Sequence, residues 1–243
     1  MRSIFFLVFI IATLSSPAQI NLDIANPGST GGNYGNVNVI DPSTLGTKKV
    51  ELLNLSDLNG SPFWNDRWSK AFLYLKNGNL VKLAQVRLNI YSNEVDFINP
   101  HSVEMVLDAS DFKKILMMKQ DDTTRIAAVF ECYHDFIDNK GEGFFRVLNG
   151  GKKQLYALYK AKLKEDPYDA LLGKRTSSFY TKTEYAISEA EKFTPIKSLD
   201  KKSVLAAITP DPKAESWLDI NRNKLRNETD VVAFFTYLNT AKK

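Results

Sequence analysis

Apolar and polar side chains alternate through the middle of the chain. Ala71, Leu73 and Leu75 alternate with Phe72, Tyr74 and Lys76, and Asn77-Gly78 then gives a two-residue hairpin signal. The next run sets Leu80, Ala84, Val86, Leu88 and Ile90 on one face, interrupted by Lys82. Val95 with Phe97, then Val103, Met105 and Leu107, continue the two-residue period, and 112–118 reads as a shorter strand. Between 125 and 136 the even positions Ile126, Ala128, Phe130, Cys132, His134 and Phe136 form an apolar face with a polar rim. Asn149-Gly150-Gly151 joins 143–148 to 152–164, whose Leu155, Ala157, Tyr159, Ala161 and Leu163 oppose Lys160, Lys162 and Lys164. A last pair covers 179–187 and 193–197.

The period then changes from two to 3.6. Asp200 is placed to cap a helix over 201–208. Asp211-Pro212 supplies a cap followed by proline at the first helical position, ahead of Trp217 and Leu218. Asn227 caps a third helix, in which Val231, Phe234, Phe235 and Leu238 make an i, i+3, i+4, i+7 stripe. Such a stripe must be buried, and the apolar face of the sheet is the available partner. The expected fold class is therefore α+β: an antiparallel β-meander, curved as far as a half-barrel, with C-terminal helices packed on it. The meander is expected over about 68–197 and the helices over about 200–241, within one domain spanning 51–243.

The N-terminus does not follow this pattern. Residues 1–18 read as a signal peptide, with Arg2 as the positive end, an apolar run over 4–14, and Ser16-Pro17-Ala18 at the cleavage site. That run is shorter than the roughly 20 residues a permanent span requires, so no transmembrane segment is expected in the mature chain. Residues 19–50 hold five of the twelve glycines and read as a flexible Gly/Asn/Pro-rich linker. Cleavage near Ala18 places the protein in the periplasm or at the cell surface. A single cysteine then excludes an intrachain disulfide framework. The formal charge of +4 is too small to suggest a nucleic-acid partner, and a 44% hydrophobic composition fits a globular domain.

Several short stretches together resemble a group of uncharacterised exported proteins common in Bacteroidota. These are Gly60-Ser61-Pro62-Phe63 with Trp68, Leu88-Asn89-Ile90-Tyr91-Ser92-Asn93 before Val95-Asp96-Phe97, and Phe144-Phe145-Arg146-Val147-Leu148 before Gly151-Lys152. Tyr185 and Asn223-Lys224-Leu225 complete the set. The resemblance implies a small envelope protein of a diderm bacterium and carries no assigned reaction.

Candidate chemistry is sparse. Cys132 and His134 share a strand face and could form a nucleophile–base pair or two metal ligands, but with His101 they supply too few nitrogen and sulfur ligands for zinc. Asp135, Asp138, Asn139 and Glu142 suggest a calcium loop. Aligning Gly143 with its obligatory glycine, however, puts Lys140 at a ligand position and Asn149 where a carboxylate is needed. Gly141-Glu142-Gly143 meets Arg146 where a dinucleotide fingerprint requires a third glycine. Lys160, Lys162 and Lys164, with Tyr156, could meet a polyanion, or form a solvated face that discourages edge pairing. No catalytic, cofactor or metal residue is assigned, and no cofactor is expected. The leading expectation is a non-catalytic secreted or envelope protein with a binding or structural role, which binds or supports an envelope protein or glycan through a sheet face or edge. The alternatives are a carrier whose Phe130, Phe136, Phe145 and Tyr159 line an apolar cavity, and an exported hydrolase using carboxylates or Cys132.

Overall fold

The structure, a computed structural model, describes residues 39–48, 58–132, 143–168, 173, 175–190, 192–222 and 224–240. Among these the strands are β1 (Thr47–Lys48), β2 (Leu58–Asn59), β3 (Ser69–Leu75), β4 (Leu80–Asn89), β5 (Glu94–Ile98) and β6 (Glu104–Asp108). They continue with β7 (Phe112–Met118), β8 (Ile126–Cys132), β9 (Phe144–Val147), β10 (Lys153–Glu165), β11 (Ser177–Glu189) and β12 (Lys192–Ile196). All belong to one sheet, ordered β1-β6-β5-β4-β3-β7-β8-β9-β10-β11-β12, with β2 lying parallel against β11. Every other strand pairing is antiparallel, and the sheet is built of two meanders, β3 to β6 and β7 to β12, joined where the chain crosses back from β6 so that β7 pairs with β3.

One face differs from the simple alternation. In β4 the buried apolar positions are Leu80, Val81 and Leu83, then Val86 and Leu88, with Ile90 buried just beyond its end, while Ala84 is exposed. The register with β3 slips between Ser69↔Val86 and Ala71↔Leu83, so β4 carries an extra residue there. A bulge of this kind reverses which parity faces inward, which strict period two cannot anticipate.

The sheet curls until strands far apart in its order meet. Ala161 N–H, in β10, donates to Ile90 O at the end of β4 over 3.0 Å. The enclosed face carries Leu73, Val81, Leu88, Phe97, Phe112, Ile115, Phe130 and Phe144, with Ala161 and Phe179 arriving from the far hairpin. Trp64 closes this space, its ring 5.0 Å from Phe130 and 6.4 Å from Tyr159. These rings pack edge-on and tilted against one another within that interior. Phe145, expected to line that interior, faces the opposite side with Tyr156 and Leu158, because it neighbours Phe144 on a strand. Phe136 lies outside the described residues.

The expected linker over 19–50 ends earlier than the sequence suggests. Val39 bridges Leu80, Asp41 caps a short turn over Pro42–Thr44, and β1 pairs with β6. Ile40 and Leu45 pack against the core, so these apolar side chains hold the segment on the sheet. Residues 1–38 and 49–57 lie outside the described residues.

Three helices follow: α1 (Lys201–Ala206), α2 (Pro212–Ile220) and α3 (Glu228–Asn239). Asp200 accepts from Ser203 N, Asp211 from Lys213 N, and Asn227 from Asp230 N, so each expected cap is present. Val231, Phe234, Phe235 and Leu238 pack with Trp217 on Leu155, Ala157, Ile187 and Ile196 of the sheet. No helix is long and apolar enough to cross a membrane among the described residues.

Candidate functional site

A groove of about 1070 Å³ opens where the N-terminal end of β10, the end of β11 and the start of β12 meet the ends of α2 and α3. Its lining brings Lys153, Gln154 and Tyr156 together with Glu131, Glu189, Phe193, Asp211 and Lys213.

The wall formed by α3 is held by amides. Asn239 Nδ2 donates to Gly150 O and Lys153 O, both at 2.8 Å, and its Oδ1 accepts from Lys153 N at 2.9 Å. Asn149, buried in the same turn, accepts from Leu155 N at 2.8 Å and donates to the same two carbonyls. Gly151 is required beneath this bracket: its φ is +110°, and an added Cβ would lie 2.4 Å from the Asn239 side chain. Asn149-Gly150-Gly151 is thus both a hairpin turn and the seat of the last helix.

Two polar clusters face the groove. In the first, Lys153 stands directly opposite Glu189 in the β10–β11 ladder and pairs with it, while Asp211 lies 3.9 Å from the same ammonium. Asp211 also caps α2, and Glu189 Oε2 accepts from Thr209 N at 2.7 Å. Burial pushes the Glu189 carboxyl up, but Lys153 and the Thr209 N–H outweigh it and hold the acid below its ordinary range. In the second, the buried Tyr156 hydroxyl donates to Glu131 Oε2 at 2.9 Å, with Gln154 Oε1 3.0 Å away. Lys114 approaches Glu131 Oε1 at 3.3 Å, and the Phe193 ring packs edge-on against Tyr156 at 5.3 Å.

This arrangement determines what the groove can do chemically. A general acid for hydrolysis must hold its proton near neutral pH, and Glu189 is tuned the other way. Lys152, Lys153 and Lys213 match Glu131, Glu189 and Asp211 in number, so the lining carries no formal net charge. An apolar guest would have to strip water from charged groups around the groove, which costs free energy. A neutral guest rich in hydroxyls can instead both donate to carboxylates and accept from ammonium and amide groups.

The residues singled out from sequence are not brought together. Cys132 is buried in the curled interior, His101 is exposed in the turn between β5 and β6, and His134 lies outside the described residues. The suspected calcium loop over 135–142 also lies outside them. Lys160, Lys162 and Lys164 do share a face, opposite Leu155, Ala157 and Tyr159. Sequence reasoning missed Glu131, Lys153 and Glu189. The signal that could have found the last two was the register of the β10–β11 hairpin, which pairs them across the ladder.

Most of the resemblance motifs serve the scaffold, while Gly151 and Lys152 line the groove. Arg87 lies between the rings of Phe63 and Trp68, 4.0 Å and 3.9 Å from their centroids, and pairs with the fully buried Asp96 at 3.5 Å and Glu104 at 3.0 Å. Asn89 Oδ1 accepts from Tyr91 N and Ser92 N, shaping the turn that returns the chain into β5. Comparison with protein-family models, with curated proteins and with solved structures found no match, leaving the groove's own residues to carry any functional reading.

Proposed function

We propose that this protein is a non-catalytic, exported binding protein whose groove takes a neutral glycan segment. The observation that carries this reading is the charge-balanced lining around Phe193. Three ammonium and three carboxylate groups balance one another, all but the exposed Lys152 held by ion pairs or hydrogen bonds, beside an aromatic ring that is only partly covered. Sugars present hydroxyls along their edges and C–H groups on one face, which suits such a mixture. Fixed partners also reduce the ordering cost of binding, because the side chains need not be immobilised by the ligand. Export is supported by the charged, apolar and small-residue segments over 1–18.

The test is calorimetric titration of the folded protein with a panel of neutral and anionic oligosaccharides. A neutral member should bind, and Phe193→Ala or Gln154→Ala should weaken it about tenfold, the scale of one lost stacking or hydrogen-bonding contact. Binding that survives both substitutions, or is confined to anionic members, would overturn the proposal.

A further inference from the structure

The β11 ladder is interrupted on its outer side. Its side opposite β10 pairs with β12 over 185–189 and with β2 at 177–178, and on that side no described residue pairs with 180–184. Gly60 follows β2 only as far as Phe179, where an added Cβ would lie 2.7 Å from the carbonyl oxygen. The chain then turns away through Pro62 and Phe63 to meet β4. The open stretch is five residues, about 16 Å at the usual rise of a strand.

The direction of its backbone groups follows from Pro195. That residue sits opposite Ala186, and a proline has no N–H to give to a ladder. The β11 residues that bond to β12 are therefore Tyr185, Ile187 and Glu189, and the alternation turns the N–H and C=O of Thr183 and Thr181 to the same side. A recess of about 390 Å³ adjoins this edge, lined in part by Lys160, Lys182, Lys197, Glu184 and Pro195. Lys160 and Lys182 both reach Glu184, at 3.0 Å and 2.9 Å, leaving the recess with more cations than anions. Their two ammonium groups hold the Glu184 carboxyl below its ordinary range, so it stays charged and paired.

We infer that 180–184 is a docking edge for an extended acidic peptide, added as a short strand between β2 and β12. Main-chain bonds to Thr181 and Thr183 supply the affinity, and carboxylates on the peptide meet Lys160, Lys182 and Lys197. A second copy of the same edge would bring lysine against lysine, so charge disfavours self-pairing. This surface is separate from the groove lining and does not rest on the glycan reading.

The probe is a fluorescein-labelled hexapeptide of alternating glutamate and valine, titrated by fluorescence anisotropy. Strand addition uses one edge of the peptide only. N-methylation of its alternate amides on one edge should weaken binding at least tenfold, and methylation on the other edge should change it less than twofold. Lys160→Glu combined with Lys182→Glu should weaken it at least tenfold, and hydrogen exchange at Thr181 and Thr183 should slow at least tenfold when the peptide is bound. Equal loss from both methylation patterns, no loss from either, or a lysine–valine peptide that binds as well would overturn the inference. So would slow exchange at Thr181 and Thr183 in the unliganded protein, or a concentration-dependent dimer that protects these amides.

Discussion

Arg87 concentrates several interactions in one side chain. Its planar guanidinium stacks between Phe63 and Trp68, and its edge meets Asp96 and Glu104. Truncation would remove the stack together with the ion pairs to the buried Asp96 and to Glu104. Arg87→Ala should therefore cost about 3–5 kcal/mol, read as a lowered urea midpoint. Arg87→Lys should recover little, because an ammonium lacks the flat faces that two rings require. A loss below about 1 kcal/mol would mean that the stack and the ion pairs scarcely contribute. In sequence, Arg87 reads only as the polar partner of Val86 and Leu88. Its importance comes from Phe63 and Trp68, which approach from a segment with no period of its own.

At the scale of elements, the helix caps were legible because capping is local: Asp200, Asp211 and Asn227 act within three residues of themselves. The hairpin turns were legible for the same reason. The bulge in β4 and the early ordering of 39–48 were not, since each depends on a neighbouring strand. Asp200 gives a pH test of one cap. Its carboxyl, lowered to about 2 by Ser198 and by the Ser203 and Lys202 amides, is fully charged in the folded protein above the ordinary carboxylate range. A depressed acid contributes stability above its unfolded value, and that contribution is lost as pH falls through the folded one. The α1 amides should therefore lose exchange protection between about pH 4 and about pH 2, ahead of the α3 amides. Asp200→Asn should flatten that dependence, and an α1 insensitive to pH in the parent protein would contradict the capping account.

For the whole molecule, the α+β meander was readable because hairpins join most consecutive strands and the C-terminal stripe needs a sheet to cover it, whereas the crossover that returns β7 to β3 leaves no local signal. The groove was not, because its walls come from residues as distant as Glu131 and Asn239. Their meeting depends on an amide bracket around a turn that looks ordinary in sequence. The proposed export belongs to this scale too. Protein recovered from the envelope of a producing diderm cell should begin at Gln19 by intact mass, and a chain that retains Met1 would contradict it. The central claim, that a neutral sugar occupies the groove, is most directly tested by amide NMR with the tightest-binding neutral oligosaccharide, at about 0.05 M and about 0.5 M salt. The account predicts shifts concentrated at Gln154, Ser188, Ala190 and Phe193, with the same affinity at both salt concentrations. Shifts centred elsewhere, or an affinity that collapses in high salt, would contradict it.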